Sequence, residues 1–279
     1  MKTVLVTGSS GYIGKHVVAA LLAKDHLVIA NDLVPSNTDA HVTNSTEDIF
    51  SGEKDIYERL GKPDIVIHLA WEAGFIHNSP LHLLRLSDHF RFLTDMAAGG
   101  CKNIAVMGSM HEVGFYEGAI TEDTPCNPLS LYGIAKNALR QALLLESKQN
   151  DFNLYWLRGY YIYGDDRRGS SIFSKIARAA DAGEKEFPFT TGKNKYDFIS
   201  IDGLATQIVA ASTQTKVSGV INVCSGKAVS LAEQVEAFIK ENDFDITLKY
   251  GAFPDREYDS GAIWGDDTKI QTILLNEKF

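Results

Sequence analysis

The chain has 279 residues, 44% of them apolar, and a formal charge of −9; that length supports a full hydrophobic core, while the acidic balance, with no basic run longer than Arg167-Arg168, argues against nucleic acid as a partner. Cys101, Cys126 and Cys224 are odd in number and far apart, which argues against a disulfide framework or a zinc site and for a reducing cytoplasm. The start MKTVLVTGSS lacks the pattern of a signal peptide, and no apolar run approaches the roughly 20 residues that span a bilayer, so no membrane partner is expected.

The β-branched run TVLVT (3–7) reads as a strand ending in a glycine-rich turn, and YIGKHVVAALLAKD then takes helical spacing through Val17, Val18, Leu21 and Leu22. HLVIANDL (26–33), PDIVIHLA (63–70), KNIAVMGS (102–109) and NLYWLRGYYIYG (153–164) repeat the strand theme between helix-like segments. Such alternation implies an α/β fold with a parallel sheet covered on both faces. From Asp165 the pattern loosens into DDRRGSSIF, a helix near 171–183 and the Gly/Lys-rich TTGKNKYDF, and LAEQVEAFIKEN (231–242) is a further amphipathic helix. The expected organisation is a larger regular part over 1–164 and about 197–225, interleaved with a smaller, less regular part over about 165–196 and 226–279.

In TGSSGYIG, Gly8, Gly11 and Gly14 lie between the first strand and the first helix. Glycine permits the tight turn and lets main-chain N–H groups and a helix N-terminus approach a pyrophosphate. Ser10, Tyr12 and Ile13 are expected contacts in the same turn. A tight turn without ligand is the plainer alternative, but the strand-turn-helix context required by the dinucleotide fingerprint is present. Asp32 ends the second strand 18 residues beyond Gly14, where an acid can accept from an adenosine ribose; it favours NAD(H), with NADP(H) left open.

Tyr132 and Lys136 in SLYGIAKN stand at i and i+4, on one helix face. A neighbouring ammonium favours the ionised phenol, which makes the tyrosine a usable acid or base. Ser109 ends a strand upstream, on the edge where doubly wound sheets bind ligands, and can hold a substrate oxygen. A half-buried Tyr with an exposed Lys is commonplace on helices; the order of glycine turn, Asp32, Ser109 and Tyr132/Lys136 makes coincidence the weaker account.

With these residues in place the chain resembles the extended short-chain dehydrogenase/reductases, through TGSSGYIGKHV, PDIVIHLA, GS at 108–109, EDTPCNPLSLYGIAKN, LRGYYIYG and YDFISIDGLA. The resemblance implies a Rossmann-type doubly wound sheet binding the nicotinamide cofactor, with a small C-terminal part closing over a nucleotide-linked sugar. Ser109, Tyr132 and Lys136 become its catalytic triad, with Lys136 also holding the nicotinamide ribose. Leu69, Ala70 and Trp71 of HLAW would line the cofactor, as would Tyr160 and Ile162, and Asp48-Ile49 would touch adenine. His68 reads as structural. The resemblance also implies a homodimer formed through the Tyr/Lys helix, to which Leu139, Leu143 and Leu144 are available unless they serve the core.

Within the family, 4,6-dehydratases resemble one another in carrying acids directly after the catalytic hydroxyl residue, where this chain has Met110 and His111. Double epimerases resemble one another in a Cys two places after the serine and a later His; this chain has His111 at the former place and no His in YGDDRRGSS. A 4-keto reduction or a 4-epimerisation remains, and a cofactor-sensing protein without chemistry is the alternative of another class. Tyr161 and Tyr196 replace residues that commonly contact the sugar diphosphate, leaving Lys195, Arg256 and Arg167 or Arg168 to meet it; His111 is either a substrate contact or a solvated loop histidine. The chain looks most like the bacterial reductases that make dTDP-fucose from dTDP-4-keto-6-deoxyglucose.

Overall fold

The computed structural model describes residues 1–74, 76–164, 167, 169–254 and 260–276. Among them the strands are β1 (Thr3–Thr7), β2 (Leu27–Asn31), β3 (Val42–Ser45), β4 (Ile65–His68), β5 (Asn103–Ser109), β6 (Gly118–Ile120), β7 (Asn153–Gly159), β8 (Tyr161–Tyr163), β9 (Glu186–Pro188), β10 (Lys195–Ser200), β11 (Gly219–Val223), β12 (Ala228–Ser230), β13 (Thr247–Lys249) and β14 (Ala262–Gly265). The helices are α1 (Tyr12–Leu22), α2 (Ile56–Arg59), α3 (Leu81–Leu84), α4 (Leu86–Gly99), α5 (Leu131–Gln149), α6 (Ile172–Asp181), α7 (Ile201–Thr213), α8 (Leu231–Glu241) and α9 (Thr268–Asn276), with a 3-10 turn at Met110–Glu112.

Seven strands form one parallel sheet in the order β11-β7-β5-β4-β1-β2-β3, as expected of a Rossmann-type fold. Its inner strands are apolar on both sides because each face is covered, whereas the edge strand β3 is polar and largely exposed. Val4, Val6, Ile65 and Ile67 pack with α1, α7 and α9 through Val17, Leu204 and Ile270, whereas Leu5 and Val66 face α4 and α5 through Phe92 and Leu139. The strand period of two therefore splits one sequence run between two cores. The strand order reverses between β1 and β4, whose last residues, Thr7 and His68, are register partners. That crevice is the topological switch point.

A second sheet runs β12-β10-β14-β6, with β8 paired to β10. Its core with α6 and α8 contains Tyr160, Phe173, Tyr196, Phe198 and Phe238. The run 153–164, expected as one strand, serves both sheets: β7 ends at Gly159, and β8 pairs Tyr161 with Phe198 of β10. The Gly/Lys-rich TTGKNKYDF, which reads as irregular, contains the start of β10. Its Asp197 is fully buried, accepting from the N–H groups of Ser225 (2.8 Å), Gly226 (3.0 Å) and Gly265 (3.1 Å), so a loop-like acid ties loops to a core strand. β6 joins this second sheet, whereas α9 packs back on α7 and β11.

Candidate active site

The glycine turn sits at the switch point. Gly8 has φ +70°, and a Cβ there would meet the Ala70 nitrogen at 2.8 Å; one on Gly14 would collide with the Gly8 carbonyl oxygen. Glycine is required at both by the close approach of the turn to itself and to the end of β4. Gly11 is the N-cap of α1 and supplies no side-chain cap, so the positive end of that helix begins with bare backbone. Asp32, just past β2, accepts from Ser10 N–H at 2.9 Å and from Leu33 N–H at 2.7 Å, which fixes its carboxylate on the rim of the turn. Ala70 N–H donates to Thr7 Oγ1 at 3.3 Å, which anchors the Leu69–Trp71 segment beside the same turn. An uncapped helix start, a side-chain-free bend and a rim carboxylate fit a dinucleotide.

Asp48 is exposed and its Oδ1 accepts from Phe50 N–H at 2.9 Å, while Ile49 is buried among the α4 and α5 core residues. Both follow Glu47, whose carbonyl accepts from Asn31 at the end of β2 (3.0 Å), so they share the edge with Asp32.

Ser109, Tyr132 and Lys136 meet at that carboxyl edge. Ser109 ends β5 and caps the 3-10 turn, its Oγ accepting from His111 N–H at 3.3 Å and its own N–H donating to Glu112 Oε1 at 2.7 Å. The Ser109 hydroxyl lies close enough to the Tyr132 phenol to favour its ionised form. Lys136 is 3% exposed; its Nζ donates to the Met107 carbonyl at 2.8 Å and stands 3.5 Å from the Trp71 ring centroid and 5.9 Å from that of Tyr132. The sequence leads one to expect the ammonium to acidify the phenol. Burial instead pushes Tyr132 up to about 12, with the Ser109 hydroxyl opposing and the Glu112 charge reinforcing the rise. Burial also lowers Lys136 to about 7. Desolvation outweighs the expected attraction at both groups.

Sequence reasoning missed the shell around this pair. The Tyr132 N–H donates to the His77 carbonyl at 2.9 Å, and Leu131 N–H to Asn78 Oδ1 at 3.2 Å, so the 76–79 loop holds the start of α5. The His77 ring lies parallel to the Tyr132 ring at 5.6 Å and 4.6 Å from that of His111. Burial lowers His77 and takes His111 to about 4, so both rings are neutral at pH 7. His68 bridges Thr7 Oγ1 (2.8 Å) and His89 Nδ1 (2.8 Å), a structural role. Glu112 is fully buried and accepts from Trp156 Nε1 at 2.9 Å; Arg140 and Arg158 approach its Oε2 at 3.4 and 3.6 Å. An acid three places after Ser109 is visible in the sequence, but nothing local distinguishes it from a loop charge.

A cleft of about 940 Å³ opens from His77 and His111 toward β10 and α6, and Tyr161, Ile162 and Tyr196 line it. Three expected contacts are placed otherwise. Lys195 alternates with Asn194 and Tyr196, which face the cleft, so its own side chain points to the other face, near Glu233. The Tyr160 ring is buried in the second-sheet core with its hydroxyl donating to Asn222 at 3.2 Å, because β8 turns away there to join β10. Arg167 pairs with Asp181 at 3.1 Å. Arg256 and Arg168 lie outside the described residues. Lys175 of α6, not singled out from the sequence, is the cation among the described residues lining the cleft. Leu139 and Leu143 belong to the core, whereas Leu145 on the same helix is 62% exposed.

Comparison with known proteins bears on this geometry. The family model described as "NAD dependent epimerase/dehydratase family" matches residues 4–224. The chain is 46% identical over 269 residues to the dTDP-6-deoxy-L-talose 4-dehydrogenase (NAD(+)) of Aggregatibacter actinomycetemcomitans, covering 94% of this chain and 98% of that one. A UDP-N-acetylglucosamine 4-epimerase from Methanobrevibacter ruminantium M1, solved with UDP-N-acetylmuramic acid, has a TM-score of 0.84 at 23% identity, covering 98% of this chain and 91% of that one. MoeE5, solved with UDP-glucuronic acid and NAD, has a TM-score of 0.81 at 25% identity and covers 98% and 92%. The relative at 46% identity is thus a talose-type 4-dehydrogenase, where the sequence motifs pointed to dTDP-fucose reductases. The chain belongs to the NAD dependent epimerase/dehydratase family, and is an enzyme of the extended short-chain dehydrogenase/reductase type.

Proposed function

We propose that the chain interconverts the C4 hydroxyl and C4 ketone of a dTDP-linked 6-deoxyhexose with NAD(H), working as a 4-keto reductase. The observation that carries this reading is the adjacent Ser109–Tyr132 pair with Lys136 one turn along, beside the glycine turn, in a chain so similar along its length to a dTDP-6-deoxy-sugar 4-dehydrogenase. NAD(H), when bound, supplies or accepts the hydride. The rest falls to the protein. Ser109 holds the C4 oxygen, and the Tyr132 phenol gives it a proton as its charge develops. Burial keeps that phenol protonated across the neutral range, which suits a donor in the reductive direction. The Lys136 face of α5 then supports the phenolate, and its ammonium would reach the nicotinamide ribose.

Asp32, held at the rim by two main-chain N–H groups, would accept from the adenosine ribose and repel a 2′-phosphate, which favours NAD(H) over NADP(H). Lys175 would meet the diphosphate in the cleft. A homodimer would form through the outward face of α5, where Ile134 and Leu145 are exposed, since Leu139 and Leu143 are taken by the core.

The test is incubation with NAD+ and dTDP-6-deoxy-L-talose, and with NADH and 4-keto sugars of both the talose and fucose types, following reduced nicotinamide and product stereochemistry. Net cofactor turnover with a talose-type product supports the reading. Interconversion of two C4 epimers without net cofactor change would make the chain a 4-epimerase, and NADH binding without any turnover would make it a sensor.

A further inference from the structure

Trp71 does more than border the cofactor side of the site. The ammonium of Lys136 is buried, and among the described residues the polar atom it reaches is a single carbonyl oxygen, that of Met107. A buried charge so poorly hydrogen-bonded needs another source of stabilisation. The Trp71 ring centroid lies 3.5 Å from Nζ, well within the range of a cation–π contact. That indole is itself fixed. Its Nε1–H donates to His82 Nδ1 at 3.0 Å, and His82 Nε2 in turn bonds the Ile76 carbonyl at 3.0 Å. His89 stacks against the indole with ring centroids 4.3 Å apart and planes 14° apart, and His89 is held by His68 and Thr7 at the foot of the glycine turn.

We propose that Trp71 is a positioning residue: clamped by His82 and His89, its π-face holds the Lys136 ammonium in its charged form and in line with Tyr132. The proposal deepens the proposed function by assigning what keeps a catalytic lysine charged in a dry site. Glu112 on the 3-10 turn, Tyr132 on α5, His68 on β4 and His89 on α4 are the titratable groups facing Lys136; of these Glu112 raises its proton affinity. The two histidines are depressed by their burial and by the Lys136 charge, and are neutral at pH 7. Beside the Met107 carbonyl and Glu112, the indole is therefore the remaining stabiliser of the charge among the described residues. Since burial already brings Lys136 to about 7, a modest loss of support moves its titration across the neutral range.

The test needs neither substrate nor cofactor, so it stands or falls apart from the proposed function. The Lys136 13Cε resonance, assigned by its disappearance in Lys136→Met, is titrated in the wild type, Trp71→Phe and Trp71→Leu. Leucine removes the π-face, and phenylalanine keeps a weaker one. The expected result is a fall in the Lys136 pKa of about one unit in Trp71→Leu and a smaller fall in Trp71→Phe. His82→Leu, which frees the indole, is expected to give a fall as well. An unchanged or raised pKa in Trp71→Phe and Trp71→Leu overturns the proposal, because a merely space-filling indole would on removal admit water and favour the ammonium. Should Trp71→Leu fail to fold, Trp71→Phe and His82→Leu decide between the same two results. In turnover assays the limb that requires protonated Lys136 is expected to move to lower pH in the same order.

Discussion

Glu112 accepts the main-chain N–H of Ser109 at 2.7 Å while its other oxygen faces Arg140 at 3.4 Å and Arg158 at 3.6 Å, all without access to solvent at the carboxylate. The acid is a bolt between the end of β5 and a basic pair, of which Arg158 is buried and Arg140 partly exposed. Truncation to Ala would leave two guanidinium groups and the Trp156 N–H facing an empty space. Glu112→Ala is therefore expected to lose about 3–5 kcal/mol of stability in urea unfolding. Glu112→Gln, which keeps an acceptor for Ser109, is expected to lose less stability and to retain measurable turnover.

Tyr132→Phe removes the proton donor and leaves the glycine turn and Asp32 untouched. Turnover is expected to fall by roughly 100- to 10,000-fold, with the NADH dissociation constant unchanged in a fluorescence titration. Loss of NADH binding would mean that the phenol holds up the site rather than acting in it.

The buried lysine costs stability, and the pH dependence has a definite sign. Its folded-state pKa lies near 7 against an ordinary 10.5, so between these values the unfolded chain binds more protons than the folded one and this group adds stability as pH rises. Below pH 7 the folded state must carry a desolvated ammonium. Lys136→Met is thus expected to be more stable than the wild type at pH 6, by an amount on the order of 3 kcal/mol that shrinks toward pH 10, in parallel denaturant titrations. A constant difference across that range would contradict the depressed value.

The histidines act with the same sign in a lower pH window. Burial takes His89 to about 3 and His111 to about 4, and holds His68 well below 6.5. The unfolded chain gains these protons first as pH falls. Their contribution is complete above pH 6.5 and is lost progressively below it, by about 2 kcal/mol per histidine between pH 6.5 and 5. Urea unfolding at pH 7.5 and 5 is expected to show that loss, with a shallower slope in His89→Gln.

What the sequence made legible follows from the range of the interactions. The β1 turn, α1 and the Tyr132/Lys136 face are encoded within a few residues, so periodicity and glycine spacing suffice. The break at Tyr160 is invisible, because LRGYYIYG keeps a strand pattern on both sides of the switch from β5 to β10 as neighbour. His77 reaches Tyr132 across more than fifty residues, and Glu112 owes its burial to Trp156 and Arg158, so neither has a local signature. The phenol's titration is hidden for a related reason: helix spacing reports the neighbouring charge, but not the desolvation that outweighs it.

Lys175 and Lys195 offer the cleanest separation of strand register from composition. Both are exposed lysines, yet only Lys175 lines the cleft, from the first turns of α6, while Lys195 leaves β10 on the opposite face toward Glu233. If the diphosphate lies in this cleft, Lys175→Ala removes one charge-assisted contact and is expected to raise KM for the nucleotide sugar roughly tenfold with kcat little changed. Lys195→Ala is expected to leave both constants as they are. Initial-rate kinetics on the two variants decide the matter: an effect at Lys195 alone would mean that the nucleotide crosses the outer edge of the second sheet, and the cleft would then have to be reassigned.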